Sequence, residues 1–183
     1  MSTVHATADG PVLYCKGAPE SVAPLCSRVL AASGTHAFTP QLRSSILTAQ
    51  NAMAEQGLRV LALAYRPLDR EWTREAREQD LVWAGLVGVH DPPRREVQGA
   101  LRTCREAGIR VIMTTGDHPR TALAVAHAAG LAGSAAPRIV TGGELARLTE
   151  AELQTALEQP EIIFARVGAT QKMDIVAALQ RKG

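Results

Sequence analysis

From Leu81 onward the chain alternates strand and helix patterns, and that alternation narrows its fold more than any other feature. Val82 to Val89 reads as a strand that ends at Asp91-Pro92-Pro93-Arg94-Arg95. Val97, Ala100, Leu101, Cys104 and Ala107 recur at helical spacing, and Gly108 closes that helix. Ile109 to Thr114 is the next strand, and Pro119 to Ala132 the next helix. Ile139-Val140-Thr141 is short and extended. Thr149-Glu150-Ala151-Glu152 opens a further helix with the spacing of a capping box, and Pro160 breaks it. Ile162 to Ala165 is a strand, and Thr170 to Gln180 is the last helix. Strands separated by helices imply a parallel sheet with right-handed crossovers. Such sheets hold ligands beyond the carboxyl ends of their strands. Three polar turns fall there: Asp91-Pro92-Pro93-Arg94, Thr115-Gly116-Asp117 and Arg166-Val167-Gly168.

The first part has a different rhythm. Thr3 to Ala8, the turn dipeptide Asp9-Gly10 and Val12 to Cys15 form a hairpin pattern. Pro19 suits the first turn of a helix carrying Val22, Leu25, Cys26 and Val29 inward, and Ser33 to His36 reads as a loop. Thr39-Pro40 starts a second helix that runs to about Gln56, with Gly57 as its stop. Leu58 to Ala64 is a buried-type strand containing one arginine, and Asp69 to Asp80 is a charge-rich solvated segment. The pattern divides the chain near residue 85 into a mixed sheet with two helices and a three-layer α/β unit.

Composition excludes several classes. A net charge of +2, with no basic cluster interleaved with aromatics, argues against nucleic-acid binding. No apolar stretch approaches a membrane-helix length of roughly 20 residues, and the N-terminus carries no secretory pattern. The chain therefore reads as soluble and cytoplasmic, or as the soluble part of a membrane protein. Cys15, Cys26 and Cys104 lie far apart in apolar contexts and read as buried thiols, with no metal site among them.

Several residues carry candidate chemistry, each beside a plainer role. A strand emptying into Thr115-Gly116-Asp117 at a helix start is built to meet a phosphate. Asp117 suits a magnesium ion or a ribose hydroxyl; its plainer role is to cap the helix before Pro119. Lys16, beside Gly17 at a strand end, is placed to meet a nucleotide or is a solvated lysine. Arg59 must reach an edge, pair with an acid or meet an anionic ligand. Asp91 sits at a strand end before two prolines, where it also fits a rigid turn. Arg166 and Lys172 flank a strand-to-helix turn. Lys172 lies one turn into its helix, where a cation opposes the dipole unless an anion is near.

In series, "YCKGAPESV" (14–22), "GLRVLALAYRPL" (57–68), "LVGVHDPPRREV" (86–97), "AGIRVIMTTGDHPRTALAVAHAAGL" (107–131) and "FARVGATQKMDIVAALQRKG" (164–183) are highly specific. They resemble the P-type cation-transporting ATPases of the calcium and sodium/potassium pump branch, over nearly the whole chain. The resemblance implies an α/β chain in two parts. Residues 1–85 would be the C-terminal part of a nucleotide-binding domain, a mixed sheet plus helices. Residues 86–183 would be part of a Rossmann-like phosphorylation domain of haloacid-dehalogenase type. It implies that Lys16 and Gly17 line an adenine pocket and that Arg59 reaches the ATP phosphates. Asp91, Arg94, Thr115, Gly116 and Asp117 would lie near the nucleotide at the domain interface, Arg166 would assist, and Lys172 would touch the phosphoryl group. ATP and Mg2+ are the implied cofactors, with Asp117 and Lys172 in supporting catalytic roles.

The departures are equally informative. The pumps transfer phosphate to the aspartate of an Asp-Lys-Thr-Gly segment, and none of Asp9, Asp69, Asp80, Asp91, Asp117 and Asp174 precedes Lys-Thr-Gly. The family's magnesium-holding Gly-Asp-Gly segment normally follows "QRKG", where this sequence stops. "ARVGATQK" lacks the family's common proline and acidic residue. The resemblance therefore implies an internal fragment on the cytoplasmic side of a membrane. It would bind ATP weakly without turnover, partner the rest of the pump and its membrane helices, and self-associate through exposed sheet edges. A free-standing haloacid-dehalogenase phosphatase needs a strand-end Asp-x-Asp that is absent. A non-catalytic module binding nucleotide or a partner remains open. The style of the motifs points to calcium as the transported ion.

Overall fold

Asp9-Gly10 turns the chain as its residues predict. A computed structural model, describing residues 1–69, 78–133 and 137–182, pairs β1 (Ser2–Thr7) with β2 (Gly10–Gly17) antiparallel from Thr7↔Gly10 to Ser2↔Cys15. Gly10 takes φ +117°, a conformation L side chains rarely adopt. β5 (Arg59–Pro67) pairs on the other side of β2. With β3 (Cys26–Ala31), β4 (Gly34–Ala37) and β6 (Leu81–Val89) these strands form a mixed six-stranded sheet of order β1-β2-β5-β6-β3-β4. Most of the charge-rich Asp69–Asp80 segment lies outside the described residues.

Two local expectations are corrected. The first helix stops early: α1 covers Pro19–Val22, a 3-10 turn covers Ala23–Leu25, and Cys26 begins a strand. Pro24 is the reason, since it cannot donate back along a helix and its ring crowds the preceding turn. Residues 26–31 then gain ladder partners on both sides, parallel to β6 and antiparallel to β4. Ser33 to His36, expected as a loop, is a hairpin turn followed by β4.

α2 (Pro40–Glu55) begins where Thr39 accepts the Leu42 N–H at 3.3 Å, and Gly57 at φ +77° ends the turn after it. Phe38 and Trp83 pack at 5.6 Å in the core with Leu13, Cys15, Val22, Cys26 and Leu81. Arg43 lies 4.3 Å above the Phe38 ring and donates to the carbonyls of Ala23 and Cys26. Burial pushes the Cys26 thiol up to about 11, with the nearby Cys15 raising it further and Arg43 opposing. Its folded value exceeds 9.0, so the stability linked to it is complete below pH 9.0 and is lost as pH rises through about 11. In the folded chain at pH 8, iodoacetamide is expected to modify half-buried Cys104 well before Cys26. Peptide mapping that finds Cys26 modified first would contradict this.

Residues 1–53 and 60–89 form one unit; Ala54–Arg59 and the chain from His90 onward form a second. The second is built on a three-stranded parallel sheet, β7 (Met113–Thr114), β8 (Arg138–Thr141) and β9 (Ile162–Ala165), in the order β7-β9-β8. The strand expected over Ile109 to Thr114 is paired with β9 only at its last two residues, Met113 and Thr114. Helices α3 (Val97–Glu106), α4 (Pro119–Ala129), α5 (Gly142–Leu145), α6 (Glu150–Ala156) and α7 (Ala169–Lys182) surround it. The short α5 is a helix that the apolar spacing does not signal. Phe164, Val140, Leu157 and Ile175 make one core, while Ala122 and Ala126 bring α4 close to Ile163 and Ala165.

The expected capping box opens α6. Thr149 N–H donates to the Glu152 carboxylate at 2.7 Å, and Glu152 N–H returns to the Thr149 hydroxyl at 3.3 Å. The Thr149 backbone, then its hydroxyl, holds the Glu152 carboxyl below its ordinary range. A lowered folded value means that this stabilisation is present above the ordinary carboxylate range and fades as pH falls through the lowered value. Thr149→Ala should cost about 1 kcal/mol in chemical denaturation at neutral pH. An unchanged midpoint would show that the box contributes nothing.

Candidate functional site

In the first unit, β2 and β5 place Tyr14, Lys16, Leu63 and Tyr65 around a recess of about 420 Å3 that also includes Met1, Thr3, Cys15, Ala64 and Ala84. The lining is largely apolar, and Lys16 is a cation on it. Tyr14 is steadied by His5, edge-on at 5.7 Å. A flat apolar ring with an anionic substituent suits such a lining. Gly17 follows at the strand end, where an added Cβ would sit 3.1 Å from the Val22 side chain. A larger residue there would push against α1.

In the second unit, the Thr115-Gly116-Asp117 turn leaves β7. Its shape is internal: Asp117 N–H donates to the Thr115 hydroxyl at 3.1 Å, and that hydroxyl donates to Asp117 Oδ2 at 3.0 Å. Asp117 does not cap α4. The cap is His118, whose Nδ1 accepts the Arg120 N–H at 3.3 Å, with Pro119 at the first helical position. The plainer role for Asp117 is therefore corrected. Its carboxylate is partly exposed, with Oδ1 3.4 Å from Arg59 Nε. Gly116 has an ordinary backbone, and a Cβ there would meet its nearest neighbour, the Val167 carbonyl, only at 3.9 Å. Sharp turning is not what this glycine provides.

Arg59 reaches Asp117 because the 54–59 segment docks on α4. The buried Thr121 hydroxyl donates to the Leu58 carbonyl at 2.8 Å, Arg120 pairs with Glu55, and Gly57 lies opposite the Ala124 methyl. Sequence reasoning missed Thr121; a threonine on an otherwise alanine-lined face was its only signal. The pair itself stabilises little. Arg59 is 69% and Asp117 36% exposed, a setting in which ion pairs contribute about 0–1 kcal/mol. An anionic ligand can therefore draw Arg59 away at small cost.

The Arg166-Val167-Gly168 turn leaves β9 beside this one. Arg166 N–H donates to the Asp117 carbonyl and Val167 N–H to the Thr115 carbonyl, both at 3.1 Å. Arg166 adopts φ +56°, uncommon for a side chain of its kind, so these bonds hold a backbone that is strained by itself. Lys172 is exposed in the first turn of α7, with its N–H on the Gly168 carbonyl at 3.1 Å. Thr115, Gly116, Asp117, Arg59 and Arg166 are thus joined through direct contacts, and Lys172 stands one helical turn away. Asp91 is placed differently: it lines a separate hollow of about 370 Å3 with His90, Pro92, Pro93 and His127. The backbone carbonyl of exposed Arg94 accepts the Val97 N–H at the start of α3. Among the described residues, no three His, Cys, Asp or Glu side chains cluster to hold a metal ion, and no helix is long and apolar enough to cross a membrane.

A family model described as "P-type ATPase, cytoplasmic domain N" matches residues 1–96, more than half of the sequence. The chain belongs to the P-type cation ATPases. Pump relatives extend the similarity to the rest. The chain is 36% identical over its whole length to calcium-transporting ATPase 1 of Bacillus cereus, covering 20% of that protein. It is 39% identical to the cation-transporting ATPase pma1 of Synechocystis sp., again over its whole length and 20% of the relative. Calcium-transporting ATPase of Bacillus subtilis is 38% identical over 93% of the chain and 19% of its own length. The chain thus spans about a fifth of the length of the curated P-type ATPases it matches. The mixed six-stranded sheet with its helices is consistent with the nucleotide-binding domain of that family.

Proposed function

We propose that this chain is ATP-handling machinery of a P-type ATPase that couples ATP hydrolysis, through an aspartyl-phosphate, to cation transport across a membrane. Residues 1–85 serve as part of the nucleotide-binding domain, and residues 86–183 as part of a haloacid-dehalogenase-type phosphorylation domain on the cytoplasmic side. Lys16, in the tyrosine-lined recess, and Gly17, next to it at the strand end, receive adenine. Arg59, Thr115, Gly116, Asp117, Arg166 and Lys172 receive phosphate groups, with Asp117 and Lys172 in supporting roles; Asp91 and Arg94 meet the nucleotide from outside that cluster. The rest of the pump, membrane helices included, is the partner. Calcium is the proposed cargo, favoured by the names of the relatives from Bacillus cereus and Bacillus subtilis.

One observation carries the reading: Asp117 leaves helix capping to His118 and instead presents its carboxylate beside a weakly held Arg59. Among the described residues no cluster of three His, Cys, Asp or Glu side chains fits Mg2+. None of the six aspartates precedes Lys-Thr-Gly, so the chain is proposed to bind ATP without turning it over. Incubation with γ-labelled ATP should leave no acid-stable label on the protein; incorporation would overturn that. Arg59→Ala should weaken ATP binding about tenfold, the share of a charge-assisted contact, at an unchanged melting temperature. Equal affinity would remove Arg59 from the phosphate site.

A further inference from the structure

Gln171 links two strand-end turns of the second unit. Its Oε1 accepts the Gly168 N–H at 3.1 Å, and its Nε2 donates to the Gly142 carbonyl at 2.7 Å. The first bond is half of a capping box: glutamine at the third helical position reaches back to an N-cap that has no side chain of its own. The second leaves the helix and fastens the start of α5. There the chains nearly touch. A Cβ added to Gly142 would lie 2.1 Å from the Arg166 carbonyl oxygen and 2.8 Å from Gln171 Oε1. The left-handed Arg166 is thus flanked on one side by Gly142 and Gln171 and on the other by the Asp117 carbonyl that accepts its N–H.

We propose that Gln171 is a positioning residue for the phosphate-binding cluster: by tying Gly168 to Gly142 it fixes the Arg166 backbone, and through it the Thr115–Asp117 turn, together with the first turn of α7 that carries Lys172. This rests on the reading of that cluster as a phosphate site. The side-chain amide suits the link, because it accepts at one end and donates at the other. Glutamate keeps the cap and loses the donor.

The test uses the full 183-residue chain with Gln171→Glu, Gln171→Met, which loses both bonds, and Thr170→Glu, which adds the same charge beside an intact Gln171. Sodium tripolyphosphate is titrated as the phosphate probe and adenosine as the probe of the separate tyrosine-lined recess. Gln171→Glu and Gln171→Met should each weaken tripolyphosphate binding about fivefold, the share of one neutral hydrogen bond, with adenosine binding unchanged. Thr170→Glu should stay within about twofold. In the ligand-free chain, the Arg166, Val167 and Asp117 amide resonances should shift in both Gln171 variants and hold still in Thr170→Glu. Loss of adenosine binding along with tripolyphosphate would indicate a merely structural role and overturn the proposal. So would resonance shifts confined to Gly142 and Gly168–Lys172. A wild-type chain that binds no tripolyphosphate overturns the phosphate reading, and the amide pattern then decides the coupling by itself.

Discussion

Gly142→Ala should destabilise the second unit by about 3 kcal/mol, the upper end for forcing a methyl group into a filled space. The added carbon would sit 2.1 Å from the Arg166 carbonyl oxygen and 3.1 Å from the carbonyl carbon. Backbone cannot rotate away as the end of a long side chain can. Relief requires α5 to separate from the Arg166–Gly168 turn, which breaks the Gln171 bond to the Gly142 carbonyl. For a unit of this size the melting temperature should fall by roughly 10 °C or more. Gly143 is the built-in comparison: a Cβ there meets nothing within 4 Å, and its backbone is not left-handed. Gly143→Ala should therefore be neutral or stabilising by about 0.4–1 kcal/mol. Similar melting temperatures for the two variants would contradict the close approach on which the Gln171 link depends.

Phe164→Ala should cost about 3–5 kcal/mol. Phe164 is fully buried in β9, the middle strand of the three, and packs in one cluster with Val140, Leu157, Val167 and Ile175. Among the described residues, the cluster holds no other aromatic that could refill the void. The damage should reach the candidate site, because the Phe164 carbonyl accepts the Thr115 N–H at 2.8 Å. Amide exchange at Thr115 and Asp117 should accelerate together with that of β9. Met173, 72% exposed on α7, should tolerate alanine within about 0.5 kcal/mol. A Phe164 variant as stable as the Met173 variant would mean that this cluster is not the core of the unit.

Much of the fold was legible because local and long-range preferences agreed. Thr39-Pro40 and Gly57 bracket α2, the Thr149–Glu152 spacing opens α6, and the last helix and β9 fall where apolar periodicity put them. Cys26–Ala31 runs against its local pattern: Val22, Leu25, Cys26 and Val29 fit a helical stripe, but strand partners from β4 and β6, reinforced by Pro24, override that spacing. α5 escaped notice because two glycines open it and only the Thr141 cap, accepting the Glu144 N–H at 3.2 Å, signals it. At the site, the Thr115–Asp117 turn and the opposed-dipole Lys172 were readable from local chemistry. The approach of Arg59 to Asp117 was not, since it depends on Thr121 holding the Leu58 carbonyl. Gln171 left a faint trace, a glutamine three residues after a glycine N-cap, but its second bond joins loops distant in sequence.

Calorimetric titration of the chain with ATP, beside a Lys16→Glu variant, bears most directly on nucleotide handling. Lys16 lines the recess from an exposed position, so reversing its charge should leave the melting temperature unchanged. Saturable binding by the wild type, weakened at least tenfold in Lys16→Glu, is the result expected if the recess holds the nucleotide. Equal binding by the two proteins, or none by a wild-type chain whose cooperative melting shows it folded, would contradict it.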